Sequence, residues 1–270
     1  MIQVIKANGD KEEFSEEKMR DSIRRAGIPR DLQEYVLSHI KERLFDGIKT
    51  AELYSHVMEF LNKQEPFAKA KYSLKHAIMA LGPTGYPFED FIAQIVRTDG
   101  YDAQVRTILQ GSCINHEVDV IAESRNRENK IMVEAKYHNL PGNKTNVHVA
   151  LYTKARFDDV KERYGFSQAW LVTNTKVTSD AIAYAECMGM KITSWSYPDG
   201  ESLREIIERS GLSPITSLST LSQRNKEDLA RKNIILSRDI SNNPSSLENL
   251  KLSNKEIERV MEEAAYISRH

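Results

Sequence analysis

The chain has 270 residues, 40% of them hydrophobic and 29% charged, with a formal net charge of -1. That is enough apolar material for two or three packed domains, and too little positive charge for a protein that coats nucleic acid by bulk attraction. The opening Met1-Ile-Gln-Val-Ile-Lys6 lacks the apolar core of a signal peptide, no apolar run reaches a membrane span, and two cysteines suit a reducing compartment. The expected location is therefore cytoplasmic, with no membrane partner.

Residues 1–84 read as a separate, mostly helical domain. A short strand around Val4 is followed by a turn at Asn8-Gly9. Ser15 is placed to cap a helix carrying Met19, Ile23 and Ala26, which Gly27-Ile-Pro29 ends. A second helix is expected from Leu32 to Leu44, and a third from Thr50 with Leu53, Val57, Phe60 and Leu61 on its apolar side. A fourth spans Phe67 to Leu81, and Gly82-Pro-Thr-Gly85 is the linker to the second domain. The set Val4-Ile-Lys-x-x-Gly9, Phe14, Lys18, Ile23 with Ala26, Gly47-Ile-Lys-Thr50 and Ala70-Lys-Tyr72 is similar to the ATP-cone, a regulatory nucleotide-binding domain of ribonucleotide reductases and of their repressor. The resemblance implies an adenine nucleotide, ATP or dATP, as regulatory ligand. It sets Val4 against the base, Lys6 and Lys18 on the phosphates, and Glu12 and Thr50 as supporting contacts. Two positions depart from the pattern: Ala7 stands where a second basic residue is usual, and Asn8 where Asp is.

Residues 86–209 read as an α/β domain. Tyr86 to Val96 forms a helix with Phe88, Phe91, Ile92 and Ile95 at helical spacing, and Gly100 follows near its end. Two hairpin-linked strands come next, one through Val118-Asp119-Val120 and one through Lys130-Ile-Met-Val-Glu-Ala-Lys136. Alternation sets Val118 and Val120 against Asp119, and Ile131, Val133 and Ala135 against Glu134 and Lys136. An apolar back thus carries two carboxylates and an ammonium in front. Phosphodiester hydrolysis uses those groups: hard oxygen ligands for Mg²⁺ or Mn²⁺, and a cation for the charge that grows on phosphate. Ala169 to Asn174 is a further strand, Thr178 caps a helix from Ala181 to Met188, Gly189 stops it, and Lys191 to Trp195 is the last strand. His116, Glu117 and His138 stay outside the expected catalytic set. Gly142 to Asn146 reads as a polar turn, either an ordinary loop or a nucleic-acid contact. Cys113 and Cys187 are too few and too distant for a zinc or disulfide framework, and Cys187 is expected to be buried.

Asp119, the triplet Glu134-Ala-Lys136, and Leu171-Val-Thr-Asn174 with Thr178 to Ala185 make the segment from Pro87 to Glu208 resemble the catalytic domain of Mrr-like restriction endonucleases, in the PD-(D/E)xK nuclease superfamily. Many Mrr-like enzymes carry Gln where this chain has Glu134. The resemblance implies a restriction-endonuclease-like mixed sheet flanked by helices, and DNA as substrate. It also implies Asp119 and Glu134 as metal ligands, with Glu89 of the first helix as a third, and Lys136 orienting water or stabilising phosphate charge. Cutting both strands of a duplex calls for two sites, hence a homodimer or higher homo-oligomer.

Residues 211–270 read as a helical module with segments at Leu218 to Leu221, Lys226 to Lys232, Ile234 to Ile240 and Asn254 to Ile267. It bears a faint similarity to helix-hairpin-helix DNA-binding modules, but their hairpin glycines are absent around Leu252-Ser-Asn-Lys255, so packing or dimerisation is an equal expectation. The chain is thus expected to be a metal-dependent DNA endonuclease controlled by a nucleotide, with the nucleotide as effector because no P-loop is present. The alternative is a nucleotide-sensing DNA-binding regulator whose nuclease fold is catalytically silent; a third is a scaffold that the cone merely oligomerises.

Overall fold

A computed structural model describes residues 2–7, 9–25, 28, 30–64, 73–140 and 142–268. Expectations that fall on Asn8, Ala26, Gly27, Pro29 and residues 65–72, including Ala70-Lys-Tyr72 and the start of the fourth helix, lie outside these. The chain divides into two compact units, one running from Ile78 to Pro214, the other combining residues up to Ala77 with those from Ile215.

The amino-terminal segment contains β1 (Gln3–Ile5), β2 (Lys11–Glu13), α1 (Glu16–Arg25), α2 (Arg30–Lys41), β3 (Ile48–Lys49), α3 (Thr50–Gln64) and α4 (Leu74–Met79). Its strands form one sheet in the order β2-β1-β3, antiparallel then parallel. Only β1 is legible from sequence, because β2 is Lys-Glu-Glu and β3 has two residues, too short and too charged for alternation to register. The Ser15 hydroxyl accepts the Lys18 N–H at 3.2 Å, as expected of a cap. Val4, Ile23, Val36, Leu37, Ile40, Ile48, Val57 and Leu61 form the core, drawn from all three full helices and the sheet.

The larger unit contains α5 (Tyr86–Thr98), β4 (Tyr101–Gln110), β5 (Asn115–Ser124), β6 (Lys130–Lys136), β7 (Lys144–Thr145), α6 (Val147–Tyr164), β8 (Gln168–Thr173), β9 (Lys176–Val177), α7 (Ser179–Cys187), β10 (Lys191–Thr193) and α8 (Leu203–Ser210). Five strands make a mixed sheet in the order β10-β8-β6-β5-β4. The β4-β5-β6 side is an antiparallel meander, and β6, β8 and β10 run parallel. On one face Ile121, Met132, Leu171 and Ile192 pack with Ala150, Phe157 and Val160 of α6 and Ala181 and Ala185 of α7. Against the other lies α5, whose Phe88, Phe91, Ile92 and Ile95 are buried and whose Phe88 ring sits 5.6 Å from that of Tyr137. This is a restriction-endonuclease-like α/β fold with helices on both faces.

Three sequence expectations are corrected by this architecture. Strand β4 has no counterpart among them; it is an edge strand in which only Leu109 is buried, so it carries no apolar signature. Lys144-Thr145 is not a loop but a strand paired in parallel with β9, with Thr145 buried and Asn146 capping α6. Cys187 is exposed, since the last turn of α7 leaves the core behind Ala185.

The carboxy-terminal segment holds a 3₁₀ turn at Ile215–Ser217, α9 (Gln223–Arg231), α10 (Ser237–Asn242), a second 3₁₀ turn at Pro244–Leu247 and α11 (Asn254–Ile267). Its own core comprises Ile215, Leu218, Leu229, Ile240, Leu247, Val260 and Ile267. Glu263 is fully buried, and its carboxylate accepts from the N–H and hydroxyl of both Ser219 and Thr220 at 2.6–2.9 Å. Those four donors offset the cost of a buried charge and pin the turn that leads into α9.

Candidate active site

The pairing of β5 with β6 ends at Val120 opposite Val133, one step before the acidic residues. Beyond it the Ala135 N–H has lost its ladder acceptor, and the Asp119 carboxylate takes it at 2.7 Å. One side-chain bond therefore fixes Asp119 between Glu134 and Lys136, which flank Ala135 on the same strand face. The residue across from Asp119 on β4 is Arg106, whose backbone is left-handed at φ 49° and interrupts the pairing between Val105–Val120 and Thr107–Val118. A non-glycine residue held there inside a strand is strained, and such strain gathers at functional sites. The distortion carries the guanidinium to the first turn of α5, where it meets Glu89 at 3.3 Å and Asp90 at 2.8 Å. From α6, Arg156 donates through Nη1 to Glu134 Oε2.

Loss of water dominates the electrostatics. Burial, then the Asp119 charge, pushes Glu89 up to about 7 against the pull of Arg106. Burial is also the main cause raising Asp119, opposed by the Ala135 N–H, Arg156 and Lys136. Glu134 is raised by burial and by Asp119, against Arg156 and Lys136. Three carboxylates thus oppose one another's ionisation in a poorly hydrated site, the stress that a divalent cation relieves. Their oxygens suit Mg²⁺ or Mn²⁺, so Asp119 and Glu134 fit the implied metal. Glu89 is brought within electrostatic reach of both but turned to Arg106, and among the described residues no three His, Cys, Asp or Glu are gathered closely enough to hold an ion.

Sequence reasoning missed Arg106 and Arg156. The signal for Arg156 was its helical spacing: Ala150, Thr153, Phe157 and Val160 face inward on α6, and Arg156 shares that face. His116 is structural. Its Nε2 meets Asp159 Oδ2 at 2.8 Å, and the same carboxylate accepts the Cys113 and Ile114 N–H groups, holding the β4–β5 turn on α6 and drawing Asp159 down to about 2. His138 Nε2 meets Thr145 Oγ1 at 3.0 Å, and its backbone is gripped at both N–H and C=O by the Asn174 amide, at 2.9 and 2.7 Å. Asn174 thereby extends the alignment of β6 and β8 past Lys136.

In the amino-terminal segment Glu12 accepts from both Lys6 and Lys18, so three of the expected nucleotide residues converge. Ile5 pairs with Lys49, so Lys6 and Thr50 leave the sheet side by side, with Thr50 exposed at the start of α3. Val4 stands apart: it pairs with Ile48 and Glu12 and its side chain belongs to the core.

Family models match residues 2–76 as an ATP cone domain, 82–207 as a restriction endonuclease and 214–268 as AF1548-like, C-terminal. An uncharacterised protein of Archaeoglobus fulgidus is 39% identical over 174 residues, which are 64% of this chain and 97% of that protein. The chain belongs to the AF1548-like family. It is an ATP-cone fused to an Mrr-like restriction endonuclease domain, followed by the AF1548-like carboxy-terminal domain. The crystal structure of AF1548, a protein of unknown function, is 35% identical and covers 68% of this chain and 98% of its own, with a TM-score of 0.58. A repair endonuclease from Pyrococcus abyssi is 23% identical over 38% of this chain and 41% of its own, at a TM-score of 0.30, too slight a likeness to argue from. No helix among the described residues of this AF1548-like chain is long and apolar enough to cross a membrane.

Proposed function

We propose that this protein is a divalent-metal-dependent DNA endonuclease whose activity is set by an adenine nucleotide at the ATP-cone. The observation that carries the reading is the bond from the Ala135 N–H to Asp119, which draws the Asp119 carboxylate between Glu134 and Lys136. Asp119 and Glu134 would hold Mg²⁺ or Mn²⁺, with Glu89 as the nearest further carboxylate. Bound there, the ion supplies Lewis-acid stabilisation of charge on the phosphoryl group. Lys136, on the same strand face, would orient the attacking water or stabilise charge on the phosphoryl oxygens. Water forms the new P–O bond and gives up a proton, the ester P–O bond breaks, and the leaving sugar oxygen takes up one proton, so that one water is added across the ester. Two such sites in a homodimer or larger assembly would cut both strands.

The nucleotide acts as effector by favouring one conformation or assembly over another. Lys6 and Lys18, with Thr50 beside them, offer cations and a hydroxyl to its phosphates, and Glu12 holds the two lysines until a stronger anion arrives. A second reading, a nucleotide-sensing DNA-binding regulator with a silent nuclease fold, is favoured by the engagement of Glu134 with Arg156. Supercoiled plasmid incubated with the full chain, Mg²⁺ or Mn²⁺, and ATP or dATP separates the two. Nicking that is lost in EDTA and in Lys136→Ala supports the enzyme; DNA binding with no cleavage under any of these conditions supports the regulator.

A further inference from the structure

Two structural carboxylates, Glu263 and Asp159, have their oxygens fully engaged. Both oxygens of the Glu263 carboxylate accept two hydrogen bonds, and those of Asp159 are taken by the turn and by His116. Arg156 differs. It is only 7% exposed, yet its Nη1 donates to Glu134 while its buried Nε–H has no partner among the described residues. A guanidinium has five donors, and leaving a buried one unmet is costly. The Arg156 guanidinium lies 5.3 Å from the ring of Tyr152, itself 60% exposed, and it walls a cavity of about 480 Å³ with Tyr152, His116, Asp158 and Asp159, the two carboxylates being paired to Lys154 and Lys161 and to His116.

Charge counting gives the arrangement a direction. Arg106 meets two carboxylates on α5, Glu89 and Asp90. With Asp119 and Glu134 set against Arg156 and Lys136, the group carries one negative charge in excess when all are ionised. A divalent ion on Asp119 and Glu134 would turn that into one positive charge in excess, and a DNA phosphodiester is the singly charged anion the proposed reaction brings.

We propose that Arg156 is a positioning residue that holds Glu134 while ion and DNA are absent, and passes to a backbone phosphate of the DNA when they bind. This rests on the metal-centre reading of Asp119 and Glu134 and adds to it a residue that competes with the ion for Glu134 and then anchors substrate. Removing the cation should favour ion binding, since a unit charge a few ångströms from a divalent ion weakens its binding by about tenfold or more even in a highly screened site. It should also weaken DNA binding, but only when Glu134 is otherwise engaged.

The test measures Mn²⁺ affinity of the full chain at pH 8.5, and short-duplex affinity in EDTA and in Ca²⁺, for wild type, Arg156→Gln and Arg156→Lys. Expected are Mn²⁺ binding about tenfold tighter in Arg156→Gln, an Arg156→Lys value near wild type, and duplex binding weakened by Arg156→Gln in Ca²⁺ but unchanged in EDTA. Mn²⁺ affinity unchanged or reduced in Arg156→Gln, or duplex binding weakened equally in both buffers, would mark a merely structural arginine and overturn the proposal alone. Wild type that binds no Mn²⁺ would overturn the metal-centre reading and the proposal with it. Should Arg156→Gln not fold, the wild-type Arg156 Nε–H resonance, assigned by its absence in Arg156→Lys, decides: it moves on adding Mg²⁺, and a resonance that stays in place refutes the exchange.

Discussion

Replacing Glu89 by Gln should stabilise the larger unit at pH 8 in EDTA. Glu89 is 8% exposed, and burial and Asp119 lift it from the ordinary value of 4.5 to about 7. A group whose folded-state value lies above its unfolded one binds its proton more tightly when folded, so its stabilising effect is complete below about 4.5 and is lost as pH rises toward 7. The span of about 2.5 pH units, at about 1.4 kcal/mol each, sets the loss at no more than about 3.5 kcal/mol by pH 8. A glutamine never ionises, so it escapes that loss, and Arg106 keeps Asp90 at 2.8 Å as partner. Both tryptophans, Trp170 and Trp195, lie in this unit, so urea unfolding followed by tryptophan fluorescence reports on it. Glu89→Gln should gain about 1–3 kcal/mol over wild type at pH 8 in EDTA and about none at pH 4. Equal destabilisation at both pH values would show that the Arg106 pairing outweighs desolvation, and would refute the electrostatic account of the site.

Other outcomes rest on single contacts. Gly111→Ala should lower the unfolding midpoint of the tryptophan signal sharply, because its Cβ would overlap the Asp159 carboxylate and lie 2.6 Å from the Ile114 carbonyl oxygen, breaking the turn that His116 and Asp159 hold. Glu263→Gln should cost about 3 kcal/mol in thermal unfolding read by circular dichroism, since an amide NH₂ set against two donors leaves a buried backbone N–H unmet. A neutral effect would mean that Ser219 and Thr220 find other acceptors. Lys6→Ala and Lys18→Ala should each weaken ATP binding by about tenfold in calorimetry, the worth of one charge-assisted phosphate contact. Unchanged affinity in both would remove the phosphates from this site.

The parts of the fold that are legible in sequence are those where burial writes a period. Strands β5, β6 and β8 carry apolar runs, α5 and α11 have apolar faces, and Thr178 announces its helix with a cap. What escapes are β4 at the sheet edge, the two-residue β7 and β9 and the charged β2, which bury little of themselves, and α8, whose buried Leu203, Ile206 and Ile207 span too few turns to write a period. In the site, parity along β6 is enough to set Glu134 beside Lys136. The approach of Asp119 is not legible in that way, because it depends on a ladder that stops at Val133 and frees one backbone N–H. Arg106 and Arg156 come from a neighbouring strand and helix by tertiary packing, which the local pattern of the acidic strands does not encode. Val4 likewise looks like a ligand contact by position, whereas the three-stranded sheet commits its side chain to the core.

The most direct measurement is the anomalous scattering of Mn²⁺ in crystals of the full chain grown above pH 8, where burial no longer keeps the carboxylates protonated. The account predicts a peak shared by Asp119 and Glu134 at about 2.0–2.4 Å, the ordinary range for oxygen on such ions, on the face that carries Lys136. Peaks confined to other surfaces, with Asp119 still bound to the Ala135 N–H and Glu134 still on Arg156, would contradict it.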